Sequence, residues 1–163
     1  MPDLTRDVMT RCLILACGNS LREDDGVGPF LAQWAEDRFA GEPRVRVLAR
    51  HQWTPELAQD VAEAQSVIFV DCAVDAKPGE VRIVPIELAE GTRSSPGTHH
   101  LGAADLLALS RELFGVMPRN SLLLAVGAGA LELREGFSEA VQQALPLACA
   151  QIEKAVLELL SAS

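Results

Sequence analysis

Apolar positions along this chain fall into two rhythms. Short runs are apolar without alternation, as in strands covered on both faces. RCLILAC at 11–17, SVIFVDC at 66–72 and SLLLAVGAG at 121–129 are of this kind, and VRVLA at 45–49 reads as a further strand. Between them lie stretches of helical period. Residues 27–39 carry Val27, Phe30, Leu31, Trp34 and Phe39 as an apolar stripe, with Pro29 in the first turn. Residues 54–64 open with Thr54 as N-cap and Pro55 at the first helical position, and turn Leu57, Ala58 and Val61 inward. Residues 100–115 form a helix closed by Gly115. Residues 137–160 place Val141, Leu145, Cys149, Ile152, Val156 and Leu160 at helical spacing, with Pro146 expected to kink or restart the helix. GEVRIVPIEL at 79–88 alternates and reads as an antiparallel edge strand, and 90–98 as a loop.

Strands alternating with helices predict an α/β fold: a three-layer sandwich with a twisted, mainly parallel sheet of about five strands, one antiparallel edge strand, and helices on both faces. The 163 residues show no repeat or linker, which predicts a single domain over 1–163.

Composition narrows the function without naming it. The chain is 48% hydrophobic and 23% charged, ordinary for a globular protein. A formal charge of −9 argues against nucleic acid and permits a basic partner or a metal. No apolar run spans a membrane, and MPDLTRDVMTR lacks the apolar core of a secretory signal, so a cytoplasmic protein is expected. Cys12, Cys17, Cys72 and Cys149 form no C-x-x-C pair and read as buried small residues in a reducing compartment.

Sites in such folds form at the carboxyl ends of the strands. Past the first strand stand Gly18, Asn19 and three consecutive acids, Glu23, Asp24 and Asp25; past the second, Arg50, His51, Gln52 and Trp53. Asp71 ends the third, and His99 and His100 precede the 100–115 helix. Each alone has an ordinary explanation: an acid capping a helix, Asp71 capping a turn, a solvated histidine. Together, two carboxylates and an imidazole are a donor set for Ni, Zn, Co or Mn. The chain has no P-loop, no G-x-G-x-x-G, no G-x-S-x-G elbow and no H-E-x-x-H helix.

GNSLREDDGVG at 18–28 resembles the first-strand motif of the hydrogenase maturation endopeptidases, Gly-Asn-x-Leu-x-x-Asp-Asp/Glu-x-x-Gly. FVDCAVD at 69–75 resembles their Asp-terminated strand, and THHLGAADLLAL at 98–109 their His before Leu-Gly and a helix. The likeness runs from residue 11 to about 160. It implies an α/β domain whose metal-engaging residues are Asp25, Asp71 and His99, with His100 as the alternative if the register slips by one. It also implies removal of a C-terminal peptide from the nickel-loaded large-subunit precursor of a nickel–iron hydrogenase. Gly18, Asn19, Asp24 and His100 join the substrate contacts. One departure stands out: ARHQWTPEL at 49–57 replaces a Gly-rich turn and adds His51 and Trp53 to the expected cleft wall.

These readings combine into an expected mechanism. The cation is nickel brought by the precursor rather than a resident metal, and it completes an open three-ligand set. The metal polarises a carbonyl or a water, and a carboxylate acts as general base. No organic cofactor is expected, and the protein is expected to act as a monomer. The alternatives are a nickel- or precursor-binding chaperone without hydrolytic activity, and a different metal-dependent hydrolase on a similar scaffold.

Overall fold

A computed structural model describes residues 10–89, 91 and 101–162. Five strands form one sheet: β1 Cys12–Cys17, β2 Val45–Arg50, β3 Ser66–Ala73, β4 Val81–Pro85 and β5 Asn120–Gly127. Their order is β2-β1-β3-β5-β4. All pairings are parallel except β4 on β5, which is antiparallel at the edge. The helices are α1 Val27–Arg38, α2 Leu57–Ala62, α3 Ala103–Phe114 and α4 Glu139–Ser161.

Side-chain alternation explains why the strand runs are apolar throughout. Cys12, Ile14 and Ala16 join Ile68, Val70, Leu124 and Val126 beneath α1 and α4. Leu13 and Leu15 join Val67 and Phe69 beneath α2 and α3. Successive residues face opposite sides of a strand, so a sheet covered on both faces needs apolar residues at every position. Leu13, Ile14, Leu15, Ile68 and Phe69 are fully buried, each worth ~1.5–3 kcal/mol relative to an exposed side chain. This is the three-layer α/β sandwich read from the sequence.

Several local expectations change. α2 begins two residues later than the Thr-Pro signal implies. The amides of Leu57 and Ala58 donate to the carbonyls of Thr54 and Pro55, closing a tight turn ahead of the helix. The Thr54 hydroxyl donates to Glu56 instead of accepting a helix amide. In α1 the buried face is Val27, Gly28, Leu31, Ala32 and Ala35. Phe30 is 42% exposed and meets Phe137 edge-on at 5.6 Å. α4 continues through Pro146 without restarting. Pro146 lies on the exposed side, while Val141, Ala144, Ala148 and Ile152 hold one stripe against the sheet on either side of it. The 90–98 loop expectation lies almost wholly outside the described residues. No described helix is long and apolar enough to cross a membrane.

The sheet order places the chain reversal at β1 and β3. From β1 the chain crosses by α1 to β2 on one side, then by α2 to β3 on the other. The carboxyl ends of β1 and β3 therefore flank the crevice where ligands bind in open α/β sheets.

Candidate functional site

β1 stops at Gly18 because the chain must fold back across its own end. Gly18 has φ +149°, and a Cβ there would stand 2.0 Å from the Asp25 carbonyl oxygen. Ten residues on, a Cβ on Gly28 would stand 2.1 Å from the Cys17 carbonyl oxygen. These two glycines let the first turn of α1 press against the strand end. Between them, the Asn19 side chain accepts from the Leu21 amide at 2.9 Å and makes an Asx turn. Residues 23–26 form a single 3-10 turn that runs straight into α1.

That turn separates the three acids. Consecutive side chains of a 3-10 turn project about 120° apart, and the carboxylates go three ways. Glu23, 1% exposed, pairs with Arg134 at 3.1 Å and accepts from the Glu132 amide at 3.2 Å. Asp24, fully buried, accepts four bonds: Gly129 N at 2.7 Å, Ala130 N at 2.8 Å, Ser138 N at 2.8 Å and Ser138 Oγ at 2.7 Å. Asp25 alone enters the cleft, its Oδ2 accepting from the Asn19 amide at 2.7 Å. Burial pushes the Asp24 carboxyl up, but the Ser138, Ala130 and Gly129 donors outweigh it and hold it below the ordinary value.

Asp71, expected to end the third strand, lies just inside β3, which runs on to Ala73, and it sits beside the end of β1. Its Oδ1 accepts from the Cys17 thiol at 3.3 Å and from the Cys72 amide at 2.7 Å. Asp25 and Asp71 line one cleft of about 470 Å³. Cys17, Cys72, Asp105 and Leu131 share its wall. Asp105 also accepts from the Gly102 amide at 2.9 Å, closing the N-terminus of α3. Burial pushes the Cys17 thiol up, helped by Asp71 and Asp25. Burial and the same two carboxylates push Cys72 up to about 12. A larger hollow, about 610 Å³, lies between the C-terminal ends of α1 and α4 at the other end of the sheet. The arginines there are committed, Arg38 to Glu153 and Arg44 to Glu42.

The residues expected on the rim divide as follows. Gly18, Asp25, His51, Trp53 and Asp71 line the cleft. His51 is exposed. Trp53 is 6% exposed, packs edge-on against Phe69 at 5.2 Å, and has a buried indole N–H that meets no hydrogen-bond partner among the described residues. Asn19 is not on the wall; its amide holds Asp25. Asp24 is not there either, because all its acceptor capacity is spent on the loop before α4. His99 and His100 lie outside the described residues; Leu101 and Gly102, the next described, line the cleft. Among the described residues no group of three or more His, Cys, Asp or Glu is arranged to hold a metal ion.

Cys17, Asp105 and Leu131 were not expected there. Cys17 carried a usable signal, since it adjoins Gly18, a residue placed on the rim. Of the four cysteines expected to be buried, Cys12 is, while Cys17, Cys72 and Cys149 are half-buried. Asp105 stands three residues after Gly102, the spacing of a capping box. Leu131 carried none, because its loop reaches the first strand only through the tertiary bonds made by Glu23 and Asp24.

The model of the hydrogenase maturation protease family matches residues 34–155. A hydrogenase 2 maturation protease of Escherichia coli strain K12 is 29% identical over 153 residues, covering 91% of this chain and 92% of the relative. Among solved structures, the E. coli hydrogenase maturating endopeptidase HybD superposes with a TM-score of 0.75 at 29% identity, covering 91% and 93% of the two chains. A nickel–iron hydrogenase maturation protease, HycI of Thermococcus kodakarensis, shares the fold with a TM-score of 0.65 at 24% identity over 93% and 97%. With the sheet order, the cleft at β1 and β3 and a family match over most of its length, this chain belongs to the hydrogenase maturation proteases and is a peptide-cleaving enzyme.

Proposed function

We propose that this protease removes a C-terminal peptide from the nickel-loaded large-subunit precursor of a nickel–iron hydrogenase. Asp25, Asp71 and His99 receive the nickel that the precursor carries. The observation behind this reading is the meeting of Asp25 and Asp71 in one cleft at the ends of adjacent parallel strands. Two carboxylates facing one space repel each other, and a substrate-borne cation relieves that repulsion. His99 enters through the THHLG motif alone. An empty precursor brings no cation, so docking itself distinguishes loaded from unloaded substrate.

Direct attack by a side chain is the poorer route. A thiol needs its thiolate to act as a nucleophile, and both cleft thiols are held protonated at neutral pH. Water is then the nucleophile. It adds to the scissile carbonyl with one carboxylate accepting its proton; the C–N bond breaks and that proton passes to the leaving amine. His51 and Trp53, on the wall formed by 49–57, contact the precursor.

The test is the intact mass of a nickel-loaded precursor before and after incubation with the enzyme, beside an Asp25→Ala variant. Loss of one defined C-terminal peptide is expected only with nickel and only with Asp25. An unchanged precursor mass with the intact enzyme refutes the reading and favours a non-hydrolytic chaperone.

A further inference from the structure

The cleft holds one side chain whose contact has no part in the chemistry above. Cys17 is the last residue of β1 and Asp71 lies on the neighbouring strand β3; each follows directly on the last paired residues, Ala16 and Val70. Its thiol and the Cys72 amide both reach the same oxygen, Asp71 Oδ1, at 3.3 and 2.7 Å. One donor leaves a carboxylate able to swing about its Cβ–Cγ bond; two donors converging on one oxygen from different strands define its plane. The amide is fixed by the backbone of β3, so Cys17 is the only one of the two that a different side chain would alter. Leu13 and Leu15, on the same face of β1, are fully buried. Their packing leaves the end of β1 little freedom and holds the thiol in place.

We infer that Cys17 is a positioning residue, its thiol turning the Asp71 carboxylate into the one orientation that serves the substrate. This rests on Asp71 acting in catalysis as proposed above. Hydrogen-bond donors behind a metal-engaging or catalytic carboxylate are commonly worth 10- to 100-fold in activity, and a thiol is a weak donor, so about tenfold is expected here.

Two variants separate donor from packing. Cys17→Ser keeps an O–H donor and shrinks the side chain; Cys17→Val fills the space and has no donor. With nickel-loaded precursor, Cys17→Ser is expected within about threefold of the parent kcat, and Cys17→Val about tenfold below it at a similar melting temperature. A crystal structure of Cys17→Val is expected to show the Asp71 carboxylate rotated from its place in the parent protein. Equal kcat for Cys17→Val and the parent, or an unmoved Asp71 carboxylate, overturns the inference. Equal losses in both variants also overturn it, since the thiol would then matter by its fit. If Cys17→Val fails to fold, Cys17→Ala takes its place with the same readings. The crystallographic arm does not depend on cleavage: an enzyme that leaves the precursor uncut refutes the proposed function, while Asp71 in the variant crystal still decides the role of Cys17.

Discussion

Replacing Asp24 with Asn tests whether the middle acid holds the structure together. Three donors converge on Oδ2 and one on Oδ1. An amide has one acceptor oxygen, so at least one donor loses its partner and meets an N–H₂ instead. A lost bond to a charged acceptor removes ~1.5–3 kcal/mol, and the others weaken by ~0.5 kcal/mol each once the charge is gone. The expected loss is about 3–4.5 kcal/mol, a large share of a total near 5–15 kcal/mol. For a chain of this length that lowers Tm by roughly 6–18 °C, read by circular dichroism at pH 7 and checked by urea titration. Acid supplies a second arm. The folded Asp24 carboxyl sits below its ordinary value. Its contribution is therefore full above the unfolded-state pKa of about 3.9 and is lost as pH falls through the lower folded value. The gap between parent and Asp24→Asn should hold from pH 7 to about 5 and shrink below about 4. A Tm difference under about 2 °C at pH 7 refutes the reasoning, as does a gap that persists in acid.

Two further outcomes follow from the same strand end. Gly28→Ala drives a methyl to 2.1 Å from the Cys17 carbonyl oxygen, so α1 must retreat; a loss of about 1–3 kcal/mol in urea unfolding is expected, and an unchanged midpoint would count against that contact. Cys12 and Cys72 are pushed up to about 12 and Cys17 upward as well, so thiolate is scarce at pH 7.5. Native protein should stay mostly unmodified by iodoacetamide, by intact mass, over a time that fully labels the urea-unfolded chain, and rapid stoichiometric labelling at those three residues would contradict it.

The sheet was legible in the sequence because its signal is redundant. Unbroken apolar runs in β1, β3 and β5 admit only a sheet covered on both faces, and the alternation at 81–86 marked the edge. What misled was local chemistry that tertiary contacts override. Thr54-Pro55 carries every mark of a helix start, yet the Thr54 hydroxyl turns to Glu56 and the helix waits until Leu57. Pro146 carries the mark of a break, yet the stripe from Val141 to Ile152 keeps α4 in one piece. Phe30 fits the apolar periodicity of α1 but sits on its outer shoulder, because the small residues Gly28, Ala32 and Ala35 are what let the helix lie close to the sheet.

The cleft was legible only in part, and the three acids show why. Sequence order says that they are adjacent; it does not say that a 3-10 turn sends them apart. The turn is visible only once Gly18 and Gly28 are seen holding the chain against β1. With that turn in place the adjacency ceases to be a problem of repulsion. Glu23 meets Arg134, Asp24 meets four donors on the loop before α4, and Asp25 is left for the cleft. The first two acids fasten residues 129–138 to the end of β1, and that loop supplies Leu131 to the cleft wall. The run of three acids is thus one cleft carboxylate and two fastenings beside it. A substitution at Glu23 or Asp24 would reach the cleft through Leu131 and the seat of Asp25, not by touching substrate.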